Sequence, residues 1–257
     1  MDYFIICLVA LIGSGLTLFS GFGLGTILLP IFGLFFPIEI AIILTAIVHF
    51  LNNLLKLFLF GKKANKATVI TFGIPALLFA YAGAMVLKFL ATSKPLFDYT
   101  MADKTFTVMP IKLIIGFLLI VFALLDIIPK YKNFEFDKKY LPIGGILSGF
   151  FGGLSGHQGA LRSAFLIRIR LSKEAFIATG VVIACLIDAS RLSVYIPQII
   201  EQNNVLDFKL IAAATLSAFI GVYFGTKLLQ KTTIKTIQNT VAIMLLIYAV
   251  LLILGIL

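Results

Sequence analysis

What most restricts this chain is a series of apolar runs of bilayer-spanning length, together with two similar stretches that glycine breaks. Uninterrupted runs cover residues 40–60, 69–90, 111–128, 176–196, 210–229 and 237–257. Stretches 3–36 and 141–169 are also apolar but broken. The first contains Gly21-Phe22-Gly23-Leu24-Gly25, followed by Pro30; the second contains Ser155-Gly156-His157-Gln158-Gly159, followed by Arg162. A hydrocarbon interior offers no water to backbone N–H and C=O groups. Broken backbone at that depth therefore survives only inside protein or beside an aqueous cavity, and such breaks mark the substrate sites of carriers built from discontinuous helices.

Composition agrees with a bilayer as solvent. Hydrophobic residues make up 61% of the 257 and charged residues only 12%, more apolar side chain than a soluble domain hides. The net charge of +10 does not point to nucleic acid, because the lysines cluster in short loops between apolar runs, where they set topology. Cys7 and Cys185 fall in apolar segments without disulfide or metal spacing, and no cofactor or metal is expected. Met1-Asp2-Tyr3 lacks the basic flank and small-residue cleavage site of a signal peptide, so the first segment is expected to stay in the mature protein.

The loop charges give a topology. Basic loops are 61–67 (Lys62, Lys63, Lys66), 129–139 (Lys130, Lys132, Lys138, Lys139), 168–173 (Arg168, Arg170, Lys173) and 227–235 (Lys227, Lys231, Lys235); loops 91–109 and 197–209 are neutral or slightly acidic. As one helix, residues 3–36 would be about 50 Å long at 1.5 Å per residue, too long for a core of about 30 Å without strong tilt. If each broken stretch enters and returns on its own side, every basic loop lies in the cytoplasm. The expected hairpins then enter from opposite sides, and their tips approach near the midplane. Shifted so that Ser14-Gly15 falls on Ser148-Gly149, the chain also sets Gly25 on Gly159, Ala41 on Ala175 and Thr45 on Thr179. The expected fold is an all-α polytopic membrane protein of two inverted repeats, each a re-entrant hairpin plus three transmembrane helices. Residues 1–128 form the first repeat, 129–139 a cytoplasmic linker and 140–257 the second repeat.

Each break precedes a short helix, whose first N–H groups and dipole favour an anion. Gly21, Gly23 and Gly25 on one side, and Gly156 and Gly159 on the other, let an oxyanion approach the backbone closely; the alternative is tight helix packing. Arg162 offers a planar fork that suits an oxyanion, or else pairs with Asp188 or with carbonyls. His157 and Gln158 are candidate donors at the second tip, unless His157 bonds its own loop. Thr45, His49, Asn52, Asn53 and Lys56 share one helix face; of these, Asn52 and Asn53 are candidate substrate ligands. In the second half Asp188, Arg191 and Tyr195 share a face, with Arg191 a candidate ligand and a possible ion pair between Asp188 and Arg191. His49, His157 and Asp188 are the candidate proton-coupling groups. Gly221 and Gly225 have the spacing of a close helix crossing.

These residues resemble the TauE/SafE sulfite-exporter family of bacterial membrane transporters. The resemblance rests on Gly21 to Gly25 with Pro30, on Pro37 to Ala41 with Thr45, and on Ser148-Gly149-Phe150-Phe151-Gly152-Gly153-Leu154-Ser155-Gly156-His157-Gln158-Gly159. It spans nearly the whole chain. The sequence departs from the usual pattern at Leu24, at His157-Gln158 and at Ala164. The resemblance implies a non-enzymatic carrier of sulfite, thiosulfate or an organosulfonate in the bacterial inner membrane. Its partners are the lipid bilayer and a small anion, with no nucleic acid and with homo-oligomerisation left open. Alternating access by rocking of one half against the other is the expected mechanism. The alternatives are a passive anion channel and an intramembrane serine hydrolase using Ser155 in Gly153-Leu154-Ser155-Gly156, which needs an imidazole on the hydroxyl.

Overall fold

The computed structural model describes residues 2–20, 23–128, 136–201, 206–228 and 234–257. The helices are α1 (Asp2–Ser20), α2 (Leu24–Gly33), α3 (Ile38–Phe60), α4 (Lys66–Ala91), α5 (Pro110–Ile127), α6 (Leu141–Ser155), α7 (Gly159–Leu166), α8 (Lys173–Glu201), α9 (Phe208–Leu228) and α10 (Ile234–Ile253). Gly21 and the loop lysines Lys130, Lys132 and Lys231 lie outside the described residues. Among the described residues, four helical stretches are long and apolar enough to cross a bilayer: Ile38–Lys63, Lys66–Ala91, Lys173–Pro197 and Phe208–Gly225. The apolar runs 111–128 and 237–257 lie largely in α5 and α10, helices of 18 and 20 residues.

At both breaks the flanking helices pack on one another. A Cβ placed on Gly13 of α1 would lie 3.2 Å from Leu24 and 3.4 Å from Ile27, a distance that a helix continuing straight through residue 20 could not give. In the second break, Gly144 faces the Phe165 ring and Gly152 faces Gln158, so α6 and α7 run antiparallel. Gly156 ends α6 in the left-handed region at φ +80°, which glycine adopts without strain. Ser148 Oγ then donates to the Gln158 carbonyl at 3.0 Å and fastens the break to α6.

Glycine seams fix the closest helix contacts. Along α6, a Cβ on Gly145, Gly149 or Gly153 would lie 2.2, 2.1 or 2.0 Å from the carbonyl oxygens of Phe72, Ala76 and Ala80 on α4. Spacing by four on both helices means that they run parallel, backbone against backbone, as small residues allow in apolar surroundings. A π-helical turn at Val69–Gly73 starts this seam on α4. A second seam pairs α1 with α9, where a Cβ on Gly221 would lie 2.0 Å from the Leu11 carbonyl oxygen and one on Gly225 2.7 Å from Gly15 Cα. The spacing read as a helix crossing thus packs against α1. Further contacts join α3 to α8 and α5 to α10.

The ends of the molecule differ. Asn65 N–H donates to Thr179 Oγ1 at 2.9 Å, Arg168 pairs with Asp137, and Phe136 stacks on Phe165 at 4.2 Å. Basic loops 61–67 and 168–173 and the described part of 129–139 therefore gather at one end. At the other end the Tyr3 hydroxyl donates to Asp207, joining the starts of α1 and α9. That bond, with the N–H groups of Lys209 and Leu210, holds the Asp207 carboxyl below its ordinary range. The loop 91–109 adds an element that hydropathy did not indicate, an antiparallel hairpin of β1 (Phe97–Met101) and β2 (Lys104–Val108). Its Tyr99 hydroxyl donates to the Leu254 carbonyl beyond α10.

Candidate anion-binding site

The two breaks meet beside the midpoints of the two long helices. A Cβ on Gly25 would lie 3.4 Å from Thr45 Cγ2 and 3.8 Å from the Gly156 carbonyl oxygen. One on Gly23 would lie 3.1 Å from His49 Nε2. His49 is halfway along α3 and Asp188 close to halfway along α8. At 1.5 Å per residue, His49 is therefore about 16 Å and Asp188 about 20 Å from the nearer end of its helix.

Asp188 is the hub. Fully buried, it accepts on Oδ1 from Arg191 Nη2 at 2.7 Å, Arg191 Nε at 3.0 Å and Gln158 Nε2 at 3.1 Å. Its Oδ2 is 2.6 Å from His49 Nδ1 and accepts from Asn53 Nδ2 at 3.5 Å. A buried charge requires this degree of pairing. Arg191 is also fully buried, its Nη1 is 3.5 Å from the Gly152 carbonyl, and a Cβ on Gly156 would lie 3.0 Å from that Nη1. Tyr195 donates to the Gly153 carbonyl. Asp188 and Arg191 thus form the expected i, i+3 pair, and together they tie α8 to the second break and to α3.

Beside the hub lies a cavity of about 100 Å³. It runs from Gly23, Leu24 and His49 toward the end that carries the basic loops, past Asn53, Lys56, Arg162 and Gly180 to Lys173. Among the described residues, no carboxylate lines it. Lys56 is buried with only 5% of its surface exposed. Arg162, half-buried, donates from Nη1 to Gln158 Oε1 at 3.1 Å, and its guanidinium lies against Gly180, whose Cβ would be 3.4 Å from Nε. Gln158 therefore bridges hub and cavity, with its amide N–H on Asp188 and its amide oxygen on Arg162. The N-terminus of α2 borders the cavity with no side-chain cap, since its N-cap is Gly23.

The candidates from sequence separate into groups. Gly23, His49, Asn53 and Arg162 line the cavity. Gly25, Gly156, Gln158, Asp188 and Arg191 form the wall or hub behind it, and Gly159 begins α7. Asn52 is turned away, its Oδ1 accepting from Ser14 of α1 at 3.0 Å. His157 stacks on Phe122 with ring centroids 5.6 Å apart, and its Nδ1 is 3.1 Å from the Ser155 carbonyl, the loop bond weighed from sequence. The Ser155 hydroxyl donates to the Phe151 carbonyl at 3.0 Å, and the bonds of both imidazoles go elsewhere. Thr17, Lys173 and Gly180 are cavity residues that sequence reading did not select as ligands. Lys56 was placed on the polar face but not among the ligands. Its position at i+3 from Asn53 and i+7 from His49 was the signal available.

An all-α array with helices of spanning length, broken helices and a cation-lined cavity at the breaks describes a multi-pass membrane transporter. The family model of the sulfite exporter TauE/SafE matches residues 5–252, and the chain belongs to this family of membrane anion exporters. A search of the curated proteins finds no match.

Proposed function

We propose that the protein is a carrier for a small sulfur oxyanion, such as sulfite, thiosulfate or an organosulfonate. The anion binds in the cavity between Lys56, Arg162 and the glycine-flanked start of α2, and crosses by alternating access. One observation carries this reading: three cations, Lys56, Arg162 and Lys173, line a cavity to which none of the described residues brings a carboxylate, while the nearby carboxylate, Asp188, is committed to other donors. A buried arginine or lysine at membrane depth costs on the order of 2.5–3.5 kcal/mol on insertion scales, and an anion between the two offsets that cost. Arg162 supplies a planar fork, Lys56 a point charge, and the Gly23 backbone allows close approach. Asn53 and His49 add polar contacts from α3.

The topology belongs to the same reading. The gathering of basic loops at one end supports a cytoplasmic face there, and the cavity extends toward that end, an inward-facing arrangement. The contact pattern supports two inverted repeats. Under the repeat alignment α1 corresponds to α6 and α4 to α9, and the seam of α1 on α9 becomes the seam of α6 on α4. Carriers of inverted repeats bind substrate where the repeats meet.

Flux of sulfite, thiosulfate, sulfoacetate and taurine into proteoliposomes tests the function. Saturable uptake with counterflow is expected, together with its loss in Arg162→Ala and Lys56→Met and its retention in Ser155→Ala. Flux without counterflow would make the protein a channel. Peptide cleavage that requires Ser155 would overturn the carrier. For the topology, single cysteines in loops 61–67 and 168–173 should be labelled from the same side.

A further inference from the structure

The two nitrogens of His49 are in different company. Nδ1 is 2.6 Å from Asp188 Oδ2, and an ionised carboxylate only accepts, so Nδ1 carries a hydrogen. In the neutral ring Nε2 is then a bare lone pair. It sits beside Gly23, in a ring that lines the cavity, and the amide nitrogen of Asn53 is 3.2 Å from both ring nitrogens. A histidine clamped at one nitrogen by a buried carboxylate, with the other uncommitted to any acid beside a substrate cavity, is arranged to take up a proton at a fixed point.

We propose that His49 Nε2 takes up a proton when the anion enters the cavity and releases it when the anion leaves, so that transport is coupled to protons. This inference rests on the anion-carrier reading. The charges facing His49 decide its sign. From α8 come Asp188 and Arg191, which largely cancel each other; from α3 comes Lys56, from α7 Arg162, and Lys173 lies farther along the cavity. The described residues of α2 and of the first break bring no charge. Lys56 and Arg162 therefore oppose a second cation on His49 while the cavity is empty. An anion between them removes that opposition and gains an N–H donor from the protonated ring. By linkage, the proton strengthens anion binding by the same factor as the anion strengthens proton binding.

The other titratable candidates are placed differently. Asp188 is saturated with donors on both oxygens. His157 does not line the cavity; its ring is stacked on Phe122 and its Nε2 is buried without a partner among the described residues. No covalent step is involved. A solvent proton joins the Nε2 lone pair on one face and leaves to solvent on the other, one with each anion.

Thiosulfate serves as the probe, because it remains ionised across the titration range of histidine and any proton taken up belongs to the protein. Full-length protein in weakly buffered detergent, mixed with thiosulfate, should take up about one proton per anion bound. Affinity should weaken about tenfold per pH unit above the point where the empty site titrates. His49→Gln should show no proton uptake and a flat affinity profile between about pH 6 and 8, while His157→Gln should keep both wild-type behaviours. Thiosulfate binding to the wild type without proton uptake overturns the coupling and leaves the carrier reading intact. Proton uptake that survives in His49→Gln or disappears in His157→Gln overturns the assignment to His49. Failure of thiosulfate, sulfite and sulfoacetate alike to bind or move overturns the carrier reading and this one with it.

Discussion

Arg162 and Arg191 are both arginines sunk among apolar helices, and their surroundings give them opposite roles. Arg191 is fully buried and held by Asp188 through two nitrogens, with a backbone carbonyl on a third. Arg162 is half-buried, meets only a neutral amide oxygen in its described bonds, and opens on a cavity shared with Lys56. A cation whose charge is already cancelled holds elements together, while one left uncancelled beside a cavity awaits a ligand. The difference follows from placement. Arg191 is one helical turn from Asp188 on the same helix, whereas Arg162 reaches that carboxylate only through Gln158.

The largest effect expected from this contrast is on stability. Asp188→Asn leaves Arg191 buried without a counter-charge, and loss of about 3–5 kcal/mol should appear in unfolding of the detergent-solubilised protein. Arg162→Ala should leave unfolding nearly unchanged while weakening anion binding by roughly 10- to 100-fold, as for loss of a charge-assisted hydrogen bond of about 1.5–3 kcal/mol. If unfolding suffers more from Arg162→Ala than from Asp188→Asn, the contrast is wrong. Gly180→Val sharpens it, because the added methyl groups push on a guanidinium that lies against a bare Cα. Binding should weaken by roughly fivefold, about 1 kcal/mol, in isothermal titration. Smallest of all is Asp137→Asn at the exposed pair with Arg168, where the change in unfolding should stay below about 1 kcal/mol.

Much of the scaffold was readable because bilayer physics writes itself into composition. Apolar runs gave the long helices, and the breaks fall between helices that pack on one another. The polar face of α3 was readable too, but its finer sorting was not. Asn52 and Asn53 are adjacent, and one residue of helix is about 100° of rotation. One amide therefore turns to Ser14 on α1 and the other to the hub, and no spacing rule says which helix stands on each side. Pairing was hidden for the same reason: Asp188 had Arg162 and Arg191 as plausible partners, and only the fold brings His49 to it. The β-hairpin was missed because its turn is Ala102-Asp103, both at positive φ, where the usual signal is Asn-Gly or Asp-Gly. Lys56 read as one polar member of a face, because its role depends on a cavity wall supplied by α7 and α8.

The glycine seams reach beyond packing. The seam on α6 leans on α4, and that on α9 receives α1, so each broken helix pair is braced by a helix from the far side of residues 129–135. The molecule is a braid of its two lengths of chain. A cut at that point would give two fragments, each presenting to lipid a bare ridge of backbone carbonyls or glycines shaped for the other. Reunited in one membrane, the fragments should find each other by that shape, with the buried pair of His49 and Asp188 closing between them.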